Sequence, residues 1–264
     1  MLNIAARAAR TAGNLIARNI GQQGNFEVAT KNKDDLVTSI DKQCEKVVAD
    51  TLLKAYRDHC ILGEEGGVIG NPDSEYQWVV DPIDGTTNFV QGIAHCAVSI
   101  ALRHNGKTEV GVVFDPILNE MFTAARGDGA FLNGHRIRVG QRDSLDGSII
   151  GTAFPTRYRD RMPAYLELFT RLISNCADIR RSGSASLDLC YVACGRFDGY
   201  LEQGLKQWDF AAGDLIVREA GGLVTDFTGE PSYVKSGNIV AANPKVLRSL
   251  LKICDVQNLP AILR

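Results

Sequence analysis

The chain has 264 residues, of which 45% are hydrophobic, and a formal net charge of −2. A chain of this length can bury a full core, either as one large domain or as two fused lobes. The nearly balanced charge gives no global indication of a nucleic-acid or membrane-surface partner, and no stretch approaches the roughly 20 apolar residues of a membrane-spanning helix.

The cysteines favour a reducing compartment. There are seven, with no C-x-x-C pair, and most of them lie inside apolar patterns. This pattern is typical of buried free thiols rather than of a disulfide framework, so we expect a cytoplasmic protein. They are Cys44, Cys60, Cys96, Cys176, Cys190, Cys194 and Cys254.

The first twenty residues carry Arg7, Arg10 and Arg18 and no acid, a composition shared with organellar transit peptides. Apolar residues nevertheless recur there at helical spacing and end before Gly21, which predicts a structural helix rather than a targeting signal. A second helical pattern runs from Ile40 to Ala55, with Ser39 as its N-cap. Asp41 lies in the first turn of this helix, where the helix dipole alone would favour a carboxylate.

The most informative stretch is residues 78–89, WVVDPIDGTTNF, preceded by LGEEG at residues 62–66. The apolar, β-branched start of the first motif predicts a buried strand that ends at Asp81 and Pro82. No Lys or Arg occurs from Asp58 to Leu102, although seven acidic residues do. Because gathered carboxylates repel one another and are costly to bury, a positive partner from outside this segment is expected.

The chemistry of this motif suggests a metal ion beside a phosphate. Asp81, Asp84 and the Ile83 carbonyl are hard oxygen ligands, which suit Mg²⁺ or Mn²⁺ rather than Zn²⁺. Gly85 and the residues after it, TTN, could bring backbone N–H groups and hydroxyls close to an anion. Taken alone, the pattern Asp-x-x-Asp-Gly-Thr-Thr would be an ordinary surface turn, because Asp, Gly and Thr are common in turns. The buried strand, the missing cations and the upstream Glu64 favour metal-assisted phosphoryl hydrolysis instead.

After this motif the pattern changes to strands and then to strands alternating with helices. Residues 96–102 and 109–114 form strands joined through Asn105-Gly106, a strong hairpin signal, and residues 120–124 continue an antiparallel meander. From about residue 147, strands alternate with helices, which indicates a layered α/β second half. The organisation expected is therefore one domain, residues 1–264, with an α+β lobe at 1–146 and an α/β lobe at 147–264.

The second half adds further polar candidates. Glu202 ends a strand, and Asp209 begins a helix, where it could cap the helix or bind a metal ion. Arg180-Arg181 with the following Ser-Gly-Ser could hold a phosphate or simply cover an exposed face.

These motifs resemble the inositol monophosphatase family of Mg²⁺-dependent, lithium-sensitive phosphatases, closest to its bacterial SuhB-type branch, over essentially the whole chain. The resemblance rests on residues 78–89, on Gly63-Glu64-Glu65, and on Trp208-Asp209 leading to the EAGG motif at 219–222. It implies the α/β (α+β) class, a layered αβαβα sandwich shared with fructose-1,6-bisphosphatase, and a homodimer.

The resemblance also implies roles for residues. It implies metal binding, with about two to three Mg²⁺ ions per site and Mn²⁺ as a substitute, by Glu64, Asp81, Ile83, Asp84 and Asp209. It implies catalysis by Glu64, Asp41 and Thr86, which would orient or deprotonate the attacking water without a phospho-enzyme. It implies substrate contacts by Asp84, Gly85, Thr86, Thr87, Gly183, Ser184, Ala185, Glu202 and Asp209, with Arg180 as a candidate beside them. A lysine of a flexible loop would be Lys31 or Lys33.

Three interpretations stay open. The first is hydrolysis of inositol monophosphate, a small-molecule phosphomonoester, favoured by Glu202 seven residues before Asp209. The second is a related phosphatase acting on fructose 1,6-bisphosphate, a nucleotide 3′-phosphate or histidinol phosphate. The third, implied by the SuhB-type resemblance, is an accessory role in ribosomal-RNA transcription antitermination with transcription factors and RNA polymerase. Its candidate surface would be Arg157, Arg159, Arg161, Arg180 and Arg181, with Tyr158 among them.

Overall fold

The computed structural model describes residues 1–22, 24, 26–32, 35–156 and 158–254. Its helices are α1 (Leu2–Asn19), α2 (Ser39–Ala55), α3 (Thr86–Gln91), α4 (Met162–Ile173), α5 (Ala185–Ala193), α6 (Gln207–Glu219), α7 (Tyr233–Ser236) and α8 (Pro244–Ile253). The first ten strands are β1 (Val28–Asn32), β2 (Asp35–Thr38), β3 (Cys60–Gly63), β4 (Gly67–Gly70), β5 (Tyr76–Asp84), β6 (Ala97–His104), β7 (Lys107–Asp115), β8 (Glu120–Ala125), β9 (Gly129–Leu132) and β10 (His135–Arg136). The others are β11 (Ile149–Thr152), β12 (Asp178–Arg180), β13 (Gly199–Glu202), β14 (Leu223–Thr225) and β15 (Ile239–Ala242).

Two sheets dominate the molecule. The larger has eight strands in the order β10-β9-β8-β7-β6-β5-β3-β4, and the smaller has five in the order β12-β11-β13-β15-β14. In the larger sheet β3 runs parallel to β5, whereas β5 to β9 form an antiparallel meander. The hairpin expected at Asn105-Gly106 joins β6 to β7, with both residues at positive φ, so this prediction is confirmed.

Successive side chains of a strand point to opposite faces of its sheet, so the two faces of each sheet contribute to different hydrophobic cores. In β5, Trp78 and Val80 pack against α1 and α2, while Val79 packs with α5 and α6. In β13, Tyr200 packs with α5 and α6, while Leu201 enters a third core with α4 and α8. The layers are therefore helix, eight-stranded sheet, helix, five-stranded sheet, helix, which confirms the expected αβαβα sandwich.

The middle helical layer comes from the second half of the chain and contacts both sheets. α6 contacts strands β5 to β9 of the large sheet and packs beside α5, which contacts β13 and β15 of the small sheet. α5 is buried on nearly all sides, so its sequence shows little amphipathic periodicity. This layer carries Asp209 to the edge of the large sheet where β5 ends.

Some local predictions need correction. Thr38, not Ser39, is the N-cap of α2: its hydroxyl accepts from the Ile40 and Asp41 N–H groups, and the Asp41 carboxylate accepts from the Thr38 N–H in return. This is a capping box with an aspartate at its third helical position, and it takes precedence over the simpler signal at Ser39. α8 has a simpler N-cap, since the Asn243 side chain accepts from the Lys245 and Val246 N–H groups.

Candidate active site

A cavity of about 170 Å³ lies where the large sheet, the α5–α6 layer and the end of β13 meet. It is lined by most of the residues that the sequence singled out, namely Glu64, Asp81, Ile83, Asp84, Gly85, Thr86, Thr87, Gly183, Ala185, Glu202 and Asp209. These residues span positions 64 to 209, so only the folded chain brings them to one place. The candidate residues Asp41, Ser184 and Arg180 do not line this cavity.

Strand register explains how Glu64 reaches the aspartates. β3 is parallel to β5 with Gly63 opposite Val80, and the Glu64 N–H donates to the Val80 carbonyl at 3.2 Å. The next residue along β5 is Asp81. The two motifs that the sequence identified separately therefore end side by side at one edge of the sheet.

Asp81 is the most buried carboxylate among the candidate ligands, with 2% of its surface exposed. Its Oδ1 accepts the Ile83 N–H at 3.0 Å, which shapes the turn at the end of β5. Burial raises the pKa of Asp81 well above its usual value, and the negative charges of Glu64, Asp84, Asp209 and Asp41 raise it further. An ionised Asp81 would therefore require a cation in this cavity.

Asp84 is held by the loop before α5 and by the start of that helix. Its Oδ2 accepts from the Ser184 hydroxyl at 2.7 Å, the Ser186 N–H at 2.7 Å and the Ser186 hydroxyl at 2.5 Å. Ser184 is the N-cap residue of α5, but its hydroxyl serves Asp84 and makes no side-chain cap. Ser186 was missed by the sequence analysis because its partner lies 102 residues away and no local pattern links the two.

Asp41 and Thr86 lie together beside the end of β5. The Thr86 Oγ1 is 3.0 Å from the Ile83 carbonyl oxygen and 3.3 Å from the Asp41 Oδ1. Burial raises the pKa of Asp41 to about 6, with hydrogen bonds from Thr38 lowering it, Glu65 raising it and Thr86 lowering it. Asp41 can thus accept a proton near neutral pH and reaches the cavity wall through the Thr86 hydroxyl.

Gly85 has to be glycine on two counts. Its φ is +95°, and a Cβ there would lie 3.1 Å from both the Gly183 and His95 carbonyl oxygens. The backbone at Gly183 therefore packs directly against the start of α3 at Gly85. The first N–H groups of α3 belong to Thr86 and Thr87 and have no carbonyl partner within the helix, so they suit an anion in the cavity.

The opposite wall of the cavity comes from β13 and the loops around it. The Tyr200 hydroxyl donates to the Glu202 Oε2, and Tyr158 lies against Gly204, where a Cβ would come within 2.5 Å of its ring. Arg181, not Arg180, lines the cavity. Arg180 is instead about half exposed and paired with Asp178 at 2.5 Å.

Lys33 and Arg157 lie outside the described residues. For Lys31 the structure describes only the backbone, as part of β1.

Asp209 is in the first turn of α6, where its Oδ2 accepts the Lys206 N–H at 2.7 Å. The capping role that the sequence offered as one alternative is therefore observed. Metal binding by Asp209 stays a prediction, and its carboxylate lies at the cavity wall.

The residues present fit a hard divalent cation in their chemistry. Within the described ranges, no three or more His, Cys, Asp or Glu side chains are arranged as a metal cage. Two of the carboxylates accept hydrogen bonds from protein donors instead: Asp84 from Ser184 and Ser186, and Asp209 from the Lys206 N–H. The donor set nevertheless consists of oxygens, and the buried charge of Asp81 calls for compensation, which are the conditions that Mg²⁺ or Mn²⁺ meets.

Among the described residues, none of the helices combines the length and the apolar composition that a membrane-spanning segment needs.

Comparison with known proteins places these motifs in a family. The model of the inositol monophosphatase family matches residues 1–259. The Escherichia coli (strain K12) protein named Nus factor SuhB is 53% identical over 251 residues, which cover 95% of this chain and 94% of that protein. A crystal structure of extragenic suppressor protein suhB from Bartonella henselae superposes with a TM-score of 0.93 at 42% identity, covering 96% of this chain and 97% of that one. A Thermotoga maritima IMPase superposes with a TM-score of 0.87 at 34% identity, covering 97% and 96%. The chain therefore belongs to the inositol monophosphatase family.

Proposed function

We propose that this chain is a Mg²⁺-dependent phosphomonoesterase that hydrolyses inositol monophosphate to myo-inositol and phosphate. The observation that carries the proposal is that acidic residues at the end of β5, the start of α3 at Gly85 and Glu202 all line one cavity. Family membership, which implies phosphatase activity, supports the same reaction class.

Each part of the cavity has a proposed role. Gly85, Thr86 and Thr87 would receive the phosphate through their N–H groups. Glu64, Asp81, Asp84, Asp209 and the Ile83 carbonyl would hold the metal ions. When bound, Mg²⁺ would neutralise the phosphate charge and make water a better nucleophile.

Residues of the chain would accept the proton of the attacking water and bind the polyol. Asp41, with a pKa of about 6, would take a proton through the Thr86 hydroxyl, which lies within 3.3 Å of it. Glu202, held by Tyr200, would accept hydrogen bonds from the hydroxyls of the polyol. Gly183 and Ala185 would close the same side of the cavity.

The direct test is hydrolysis of inositol 1-phosphate by the purified protein with and without Mg²⁺. We expect turnover that requires Mg²⁺ and is inhibited by Li⁺. Fructose 1,6-bisphosphate, a nucleotide 3′-phosphate and histidinol phosphate form the comparison panel. A higher kcat/KM for any of these would overturn the inositol assignment, and no turnover of any of them with Mg²⁺ or Mn²⁺ would overturn the enzyme assignment.

A second candidate function is supported by the relatives that are named Nus factor SuhB. We infer an accessory role in ribosomal-RNA transcription antitermination, with transcription factors and RNA polymerase as partners. Arg161 lies over the Tyr158 ring at 4.3 Å, and Tyr158 lines the cavity. Arg159 and Arg161 therefore form a basic surface next to the cavity. Capture of the transcription machinery by the wild type but not by an Arg159→Glu/Arg161→Glu variant would support this role, and equal capture would clear these residues. A charge-reversed Arg180/Arg181 variant completes the test.

Two further properties are proposed with the function. The protein would be a cytoplasmic homodimer, as the family resemblance implies. Light scattering after size exclusion would give a mass near twice the 28.7 kDa of the chain if this is correct.

A further inference from the structure

Glu45 is a buried acidic residue outside the cavity whose carboxylate contacts the loop that carries Glu64. It lies on the buried face of α2 with 4% of its surface exposed. Its Oε2 accepts the Glu65 N–H at 2.8 Å, and its Oε1 accepts the Gly66 N–H at 2.6 Å. Both oxygens are therefore used by two successive amides of the turn between β3 and β4. A buried carboxylate is costly, but backbone donors of this kind compensate for the cost.

The glycines of this turn support the same contact independently. A Cβ at Gly63 would lie 2.3 Å from the Glu45 Oε2, and one at Gly66 would lie 2.7 Å from the Oε1. Neither glycine has a positive φ, so backbone conformation does not demand glycine at either position. What both positions require is room for the Glu45 side chain. The turn is thus built around a carboxylate that belongs to another element.

Glu64 lies between these two constraints. On one side, Gly63 ends β3 opposite Val80, and the Glu64 N–H is bound to the Val80 carbonyl. On the other side, the next two N–H groups are bound to Glu45. The backbone on both sides of Glu64 is therefore fixed, and the direction of its side chain follows from that backbone.

We propose that Glu45 is a positioning residue that holds the 63–66 turn so that Glu64 faces Asp81 and Asp84. This inference rests on the proposed function, since it assigns Glu45 to the support of a metal ligand. Groups that orient a ligand in this way typically change metal affinity or activity about 10- to 100-fold when they are replaced.

The test is the variant Glu45→Gln, which places an amide NH₂ against one of the two N–H groups. We expect its Mg²⁺ affinity, measured by calorimetry, to fall about 10- to 100-fold. The Mg²⁺ concentration for half-maximal hydrolysis should rise in parallel, and saturating Mg²⁺ should restore part of the turnover.

A matched control comes from Glu219. Its Oε1 and Oε2 accept the Gly127 and Gly129 N–H groups, both at 2.9 Å, in a turn without any candidate site residue. Glu219→Gln therefore loses the same kind of contact and should lower the thermal midpoint without changing Mg²⁺ affinity. Equal loss of Mg²⁺ affinity in both variants, or wild-type affinity in Glu45→Gln, would overturn the proposal.

Gly66→Ala provides a second approach if Glu45→Gln does not fold. The added Cβ pushes against the Glu45 carboxylate from the side of the turn and should weaken Mg²⁺ binding in the same direction. Unchanged affinity in Gly66→Ala would count against the positioning role. Absence of Mg²⁺ binding by the wild-type protein is a different result, because it would overturn the proposed function itself.

Discussion

Asp81 is a carboxyl group buried beside several other acids, and its environment favours the neutral form. Asp81→Asn retains an oxygen for the Ile83 N–H but removes the charge that would hold a cation. We expect turnover to fall more than about tenfold, because metal-borne stabilisation of the transition state is worth several kcal/mol. In the presence of a chelator, the variant should be at least as stable as the wild type in thermal unfolding, because the wild-type Asp81 must either keep its charge among other acids or take up a proton on folding.

A control for this prediction is Asp115→Asn. Asp115 is also fully buried with a raised pKa, but it caps the turn after β7 through the Ile117 and Leu118 N–H groups. Its replacement should leave turnover near the wild-type value. If Asp81→Asn kept more than a tenth of the wild-type rate, Asp81 would not be a metal ligand.

The raised pKa of Asp41 predicts how the free energy of unfolding depends on pH. Its value is raised from 3.8 to about 6, so between these values the folded state binds a proton that the unfolded state has released. Stability therefore increases as pH falls from 7 to 5, by about 1 kcal/mol for this group, and is lost again as pH rises. His59 and His95 act in the opposite direction, because burial lowers their pKa.

Comparison with Asp41→Asn cancels the contribution of the histidines. In metal-free buffer, we expect the difference in unfolding free energy, wild type minus variant, to grow by about 1 kcal/mol from pH 7 to pH 5. Denaturant titrations at the two pH values measure this difference. A constant difference would show that Asp41 titrates alike in both states.

At the scale of elements, α6 lies directly on β7 at Gly111. A Cβ at this position would lie 2.8 Å from the Ala212 carbonyl oxygen, which belongs to helix backbone and cannot move cheaply. Gly111→Ala should therefore destabilise the protein by about 1 to 3 kcal/mol, which urea unfolding would detect. Activity should also suffer, because α6 carries Asp209.

Gly140→Ala is the matched control, since its nearest atom is the movable Asp198 Oδ1 at 3.3 Å. It should change the unfolding free energy by less than about 0.5 kcal/mol. Similar losses in both variants would mean that the close approach of α6 to β7 is not the cause.

What the sequence could predict follows from the range of each interaction. The Asn105-Gly106 hairpin depends on neighbours in the chain and was predicted correctly. β5 was predicted to end at Asp81 and Pro82, but it continues through a shift in register to Asp84. The contact of Ser186 with Asp84 spans 102 residues and depends on how the layers stack, so no local pattern contained it. The short strand β4 was missed because its four residues, GVIG, are too few and half of them are glycine, which is rare in strands.

At the scale of the whole molecule, the cavity collects acids from three layers. Asp81 comes from the large sheet, Asp209 from the middle helices and Glu202 from the small sheet. A cation bound by Asp81 and Asp209 would tie the large sheet to the middle helices, so Mg²⁺ should raise the thermal midpoint of chelator-treated protein by several degrees. This corresponds to about 1 to 3 kcal/mol at 10 to 100 times the dissociation constant.

Sodium chloride at equal ionic strength is the control, and it should give a much smaller shift because screening alone stabilises little. Asp81→Asn should lose most of the response to Mg²⁺. A shift that is the same for both salts would speak against a specific divalent site.

The shared middle layer has a consequence for synthesis of the protein. While the ribosome makes the first half, the face of the large sheet that α5 and α6 later cover, with Val79, Ala101 and Val113, has nothing to pack on. A partly synthesised chain that exposes an apolar surface is prone to aggregate. We therefore expect a truncated protein ending at residue 146 to be insoluble or bound by chaperones, and to be rescued when residues 147–264 are produced alongside it.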